Sequence, residues 1–282
     1  MGKVERALAE SVPETVDFHR GFEGLDEEHS GWVDRISGKI PEDLSGTLFR
    51  NGPGTMRVGD EQYGHWFDGP GMISAVTLTE GRVHYRNRYV RTPRYVKDQA
   101  AGKICSRGFG TQISGGLAAN LFRPMANPAN TSVSVHGDRL CAFYEGAQPY
   151  RLDPGSLETL GKELYDGGLN AVKTMSAHGK INPRNNRQVN FGVNITGIGL
   201  QGFKVALDVY DIDPAGRIDR TCRVPLDGFP FLHDFGLTEH YALFLLSPIG
   251  ISLRGPILGT RALSETMDYH MGESLQGIVV DL

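Results

Sequence analysis

The sequence predicts an all-β, propeller-like fold with a short helical insertion, on three observations. The 282 residues include 37 glycines and 15 prolines, residues that concentrate in tight turns and so favour many short strands over long helices. Apolar and polar residues partly alternate over strand-length segments, as in Val83-His84-Tyr85-Arg86, with turn residues between them. Prolines at 154, 183 and 214 recur at intervals of 29 and 31 (183 − 154, 214 − 183). That spacing suits successive sheets of a few strands, as in a β-propeller, although no strict repeat is present.

Taken in order, residues 1–30 are polar and weakly patterned and read as an extended lead-in; residues 31–282 read as one β domain. Met72 to Leu78, the turn Thr79-Glu80-Gly81-Arg82 and Val83 to Val90 form a predicted hairpin. A second is predicted from Thr131 to Val135, Gly137-Asp138 and Leu140 to Tyr144. A strand from Pro149 to Leu152 ends at Asp153-Pro154-Gly155-Ser156, a strong turn signal. Similar punctuation returns at Asn182-Pro183-Arg184 and Asp213-Pro214-Ala215-Gly216. One segment breaks the pattern: Ser114 to Phe122 has an apolar side and predicts a short helix, in an insertion near 112–125.

Composition excludes several functions. A net charge of −4 gives no electrostatic reason to expect nucleic acid. The three cysteines, Cys105, Cys141 and Cys222, are widely spaced, form no CxxC pair and suggest neither zinc nor a disulfide framework. A reducing cytosol fits them best, which makes the expected location cytoplasmic. Met1-Gly2-Lys3-Val4-Glu5-Arg6 lacks the apolar core of a signal peptide, and Arg6 stands where a myristoylation signal wants Ser or Thr. The most apolar stretch, Tyr241 to Leu246, is too short to span a bilayer. No Rossmann, P-loop or GxSxG pattern is present.

Nine histidines remain. A lone histidine in a β protein is most often structural, and His19, His29, His65, His84, His136, His240 and His270 sit in lead-in, turn or alternating positions that suit that reading. His178, in Ser176-Ala177-His178-Gly179-Lys180, and His233, in Pro230-Phe231-Leu232-His233-Asp234-Phe235, differ. Each has a small-residue or apolar setting and precedes a strand-like run. They are 55 positions apart (233 − 178), too far for one helix or hairpin to pair them.

Their surroundings resemble the first two iron-ligand motifs of the carotenoid cleavage oxygenases. The first motif runs Ala-His-Pro-Lys/Arg, apolar, Asp, Pro; here it is Ala177-His178-Gly179-Lys180-Ile181-Asn182-Pro183, with Gly179 for Pro and Asn182 for Asp. The second, His-Asp-Phe-Ala-Ile-Thr, is matched by His233-Asp234-Phe235-Gly236-Leu237-Thr238. Gly46-Thr47-Leu48-Phe49-Arg50-Asn51-Gly52-Pro53-Gly54 resembles the family's opening signature. Phe67-Asp68-Gly69-Pro70-Gly71-Met72, Tyr85 to Thr92, Ala129 to Val133 and Glu145-Gly146-Ala147-Gln148-Pro149 follow in the family's order. The resemblance covers residues 30 to 280.

The resemblance implies a seven-bladed propeller and a non-haem Fe(II) site of four histidines that splits a conjugated C=C with O2 into two carbonyl products. His178 and His233 would be two of the metal ligands. The later two would lie beyond Leu282, and these residues would then form an incomplete propeller of about four blades, inactive by themselves. Glu145 would orient a ligand, His233 first, by accepting its other ring N–H; without the resemblance it reads as a solvated strand-end glutamate. Tyr144 stands where the stilbene-cleaving branch typically carries lysine, which tilts the implied substrate toward an apocarotenoid polyene and away from a lignostilbene. Taking a polyene from a bilayer requires peripheral membrane contact, for which Leu117, Leu121, Phe122, Ile249 and Ile251 are the candidates; the alternative is that Leu121 and Phe122 cover the end of the barrel. Competing readings are a stilbene dioxygenase, an inactive propeller with a binding role, and a lactonase-type hydrolase that would use Ca2+ and several carboxylates.

Overall fold

Strands pair into antiparallel sheets along residues 23–199, 202–269 and 276–282, which are the residues described by this computed structural model. The first 22 residues of the predicted lead-in, with His19, and also His270, lie outside the described residues. In chain order come β1 (Ser30–Trp32), β2 (Gly46–Pro53), a ribbon of β3 (Arg57–Val58) and β4 (Glu61–Gln62), then β5 (Gly71–Thr79) and β6 (Arg82–Tyr89). The first sheet pairs in the order β1-β6-β5-β2. Its β5–β6 hairpin is the predicted one; Glu80 and Gly81 both have positive φ (49° and 70°), as a two-residue turn matched to strand twist requires.

The second sheet is the meander β7 (Ser132–His136), β8 (Arg139–Phe143), β9 (Tyr150–Leu152) and β10 (Thr159–Lys162). The third is β11 (Lys180–Asn182), β12 (Arg187–Gly199), β13 (Gly202–Ile212) and β14 (Ile218–Leu226). The fourth pairs β15 (Gly236–Leu237), β16 (Tyr241–Leu246) and β19 (Gln276–Asp281), with a ribbon of β17 (Ile249–Ile251) and β18 (Met267–Tyr269) between the last two in sequence. The proline spacing therefore has a different origin from the one expected. Pro154 and Pro214 close the third-to-fourth strand connections of successive sheets, 60 residues apart (214 − 154), whereas Pro183 closes the first hairpin of the later sheet.

Sheets pack face to face through period-2 alternation. On β8, Leu140 and Ala142 join the core shared with Ile73 and Ala75 of the first sheet, while Cys141 and Phe143 join Tyr210 and Ile212 of the third. On the far face of the third sheet, Phe191, Leu207 and Val209 meet Phe235, Ala242 and Phe244. Neighbouring edge strands are laced together by side chains. Asn51 on β2 donates to the carbonyls of Ala129 (2.9 Å) and Ser132 (2.8 Å) at the start of β7. Ser132 Oγ donates to the Ala177 carbonyl ahead of β11 (2.5 Å), and Ser176 Oγ to the His233 carbonyl ahead of β15 (3.4 Å).

The predicted helical insertion is present as α2 (Gly116–Asn120), but α1 (Pro93–Ala101) and α3 (Arg254–Ile257) were not predicted. The start and stop signals of α1 are in the sequence: Thr92 accepts from the Tyr95 N–H, Pro93 opens the first turn and Gly102 closes the last in the left-handed region. It has no apolar stripe, because its buried residues are Arg94 and Asp98, so hydrophobic periodicity could not find it. Buried Arg107 fastens the insertion to the α3 segment, donating to the carbonyls of Asn120, Arg123, Pro256 and Arg261. Among the described residues no helix is long and apolar enough to cross a membrane.

The register of β16 makes a direct test. Phe244 is 1% exposed between Phe191 and Phe235, whereas the next residue, Leu245, is 68% exposed. Phe244→Ala is expected to lower unfolding free energy by about 3–5 kcal/mol, and Leu245→Ser to change it by less than about 0.5 kcal/mol. Urea denaturation of both variants checks this; equal losses would mean that the strand is out of register.

Candidate metal centre

His178 and His233 stand just ahead of β11 and β15, the edge strands that begin successive sheets. This explains how residues 55 apart can meet: one whole sheet separates them in sequence, and the lacing of the edge strands brings their leading segments together. The structure places the two Nε2 atoms 3.0 Å apart, with ring centroids at 4.5 Å and planes at 69°. Glu145, in the β8–β9 connection, puts Oε1 3.0 Å from His233 Nδ1 and 3.9 Å from His178 Nε2. Among the described residues these three form the group whose donor atoms lie close enough together to hold a metal ion.

Each histidine-bearing loop is anchored by its neighbours. Phe235 stacks on Phe244 and meets Phe191 edge-on, which fixes the chain two residues beyond His233. Lys180 Nζ lies 2.7 Å from Asp234 Oδ1 and ties the two loops to one another. Partial burial pushes Asp234 up, but the hydrogen bonds from Lys180 and from the Phe235 N–H outweigh it and hold its carboxyl below the usual range. The Glu145 carboxylate raises the His233 imidazole above the ordinary histidine value, against a smaller opposing effect of burial.

The donor set fits a transition metal. Two nitrogens bound to one ion at roughly 2.0–2.1 Å and at right angles to each other stand about 3 Å apart, which matches the observed separation. Imidazole donors suit Fe, Zn, Cu or Co, whereas a Ca2+ site wants six or more oxygens. Glu145 Oε1 is buried and lies 3.0 Å from His233 Nδ1. A carboxylate thus stands behind the His233 ring, the arrangement that metal-ligating histidines generally have. The remaining described histidines are elsewhere: His136 is buried with Nε2 2.8 Å from the Asn186 carbonyl, His65 accepts from the Phe67 N–H, His84 packs on Trp32, the His29 backbone N–H donates to Asn87 Oδ1, and His240 meets Tyr241 edge-on.

Glu145 and His233 open onto a cavity of about 740 Å³. Its walls are largely apolar, including Phe109, Val172, Ile198, Phe203, Phe229 and Phe231; Tyr144 also lines it. Sequence reasoning singled out the histidine pair but not these walls. The Phe229-Pro230-Phe231-Leu232 run beside His233 was the available signal. The far wall comes from the ends of β12 and β13, distant in sequence, and no local pattern marks it.

Comparison with known proteins gives a consistent picture. The family model described as "Retinal pigment epithelial membrane protein" matches residues 22–281. The chain is 38% identical over 267 residues to apocarotenoid-15,15'-oxygenase of Synechocystis, covering 94% of this chain and 54% of the relative. It is 33% identical over 216 residues to lignostilbene-alpha,beta-dioxygenase isozyme III of Sphingomonas paucimobilis, covering 76% and 42%. The structure of cobalt-substituted Synechocystis apocarotenoid oxygenase superposes with a TM-score of 0.87 at 37% identity, over 94% of this chain and 56% of that one. The chain thus spans about half the length of the curated relatives it matches.

If Glu145 orients His233, Glu145→Gln is expected to weaken Co(II) binding by about 10–100-fold in a calorimetric titration. In the metal-free chain the same substitution removes the charge that stabilises the imidazolium, so the His233 pKa should fall when followed by NMR. An unchanged affinity together with an unchanged pKa would make Glu145 a bystander.

Proposed function

We propose that this chain, which belongs to the carotenoid cleavage oxygenase family, carries half of the metal centre and much of the substrate cavity of a non-haem Fe(II) dioxygenase acting on an apocarotenoid. The observation that carries the proposal is the 3.0 Å separation of the His178 and His233 Nε2 atoms beside Glu145, at the edge of an apolar cavity. Under this reading the four sheets are successive blades of an incomplete seven-bladed propeller, with the edge strands β2, β7, β11 and β15 nearest the axis.

Bound Fe(II) would supply the activation of O2, and the net reaction breaks one conjugated C=C and delivers one oxygen atom to each of its carbons as a carbonyl. The chain's own residues have the other tasks. Glu145 favours the His233 tautomer with the proton on Nδ1, which leaves the Nε2 lone pair free for a metal. The apolar walls hold the polyene and exclude water, within the roughly 300–1,000 Å³ range usual for ligand pockets. Two features support an apocarotenoid over a stilbene phenol: Tyr144 on the cavity wall in place of lysine, and the curated Synechocystis relative. Peripheral membrane contact on the cytosolic side is part of the proposal. Leu117, Leu121 and Phe122 are 54%, 41% and 68% exposed on the α2 insertion, and Ile251 lines the cavity.

Turnover tests the four-histidine requirement. The 282-residue chain and a fusion of it to the C-terminal half of the Synechocystis relative are each incubated with Fe(II), O2 and an apocarotenal in detergent, and loss of polyene absorbance is followed. The fusion is expected to turn over and the chain alone is not. Cleavage by the chain alone would force a different ligand set, and a folded, iron-loaded fusion inert to polyenes would contradict the substrate assignment.

A further inference from the structure

We propose that Asn190 is the positioning residue that aims His178, and that Gly179 is glycine because the Asn190 amide needs its space. This rests on the reading of His178 as a metal ligand. The segment that carries His178 runs along β12 and is fastened to it largely by side-chain amides. Asn194 Oδ1 accepts from the Thr174 N–H at 2.8 Å, and Asn190 Nδ2 donates to the Ser176 carbonyl at 3.0 Å. Asn190 Oδ1 accepts from the Phe191 N–H at 2.8 Å, so both ends of that amide are engaged and its direction is fixed. Asn190 and Asn194 are 0% and 3% exposed. Between the two amides, the Ser176 N–H donates to the Phe191 carbonyl at 2.6 Å.

Two residues after Ser176 comes His178, and Gly179 follows it. A β-carbon at 179 would lie 2.7 Å from Gln188 Nε2 and 2.9 Å from Asn190 Nδ2, closer than carbon can approach either. Gln188 is itself 1% exposed, so an added carbon would have to displace amides that lie inside the core. The resembling motif carries proline at this position, a residue that stiffens a loop through its ring. Here the stiffness comes from the buried amides instead, and the ring's space is already filled. The departure at Gly179 and the amides on β12 are therefore one device. The Ser176 carbonyl is the point where it acts, because a buried carbonyl deprived of its donor drives the backbone to rearrange.

The test uses the whole chain and the variants Asn190→Leu, Gly179→Ala and Gly179→Ala with Gln188→Ala. Co(II) affinity is read from the visible absorption of the bound ion, and hydrogen exchange of the Ser176 amide is read without metal. Asn190→Leu and Gly179→Ala are each expected to weaken Co(II) binding by about 10–100-fold and to speed exchange at Ser176. Removing the Gln188 amide in the double variant should recover part of the loss. Gly179→Ala keeps every hydrogen-bonding group, so it decides the matter even where Asn190→Leu fails to fold. Affinity within about twofold of the parent for the folded variants overturns the proposal. A parent whose Co(II) spectrum is absent, or is unchanged by His178→Ala, overturns the metal-centre reading and this proposal with it.

Discussion

Two imidazole nitrogens 3.0 Å apart cannot both present lone pairs to one another unless a proton or a cation lies between them. That constraint organises the site. Under the proposed reading, Glu145, 3.0 Å from Nδ1 on the far side of His233, draws the ring proton to that atom and leaves Nε2 as a lone pair. A ring N–H on one of the two histidines satisfies it in the metal-free chain, and under the proposed reading one metal ion would satisfy it with both rings as ligands. Under that reading the same 3.0 Å contact serves both states, which is what a preorganised metal site needs.

Holding the contact is a task for the sheets. Each edge strand hands a side-chain hydrogen bond to the next, from Asn51 to Ser132, from Ser132 to Ala177 and from Ser176 to His233. Behind that line, separate apolar cores between successive sheets resist any sliding that would part the rings. The cost of placing the site at the edge strands is exposure. His233 is 53% exposed, so the position of its ring depends on Phe235, Asp234 and Glu145 more than on burial.

Much of this was legible in the sequence, and the remainder was not for identifiable reasons. The hairpins at 71–89 and 132–143 announced themselves through alternation and glycine turns, because both signals are local. His178, His233 and Glu145 stood out through the motifs around them, not through any property that a lone histidine or glutamate displays. Helix α1 escaped because its buried face is the Arg94–Asp98 ion pair, which leaves no apolar stripe. The proline spacing pointed to sheets for a reason that proved different, since two of the three prolines belong to one sheet. Asn190 was invisible, for a polar residue inside a strand reads as surface until the carbonyl that it bonds is located.

The central claim is that one ion binds between His178 and His233. Crystals of the chain soaked in Co(II) and measured at the cobalt absorption edge test it most directly. The account predicts an anomalous peak within about 2.0–2.2 Å of both Nε2 atoms, with Glu145 behind the His233 ring and outside bonding distance. A peak at any other group of side chains, or none at this position under saturating Co(II), would contradict it.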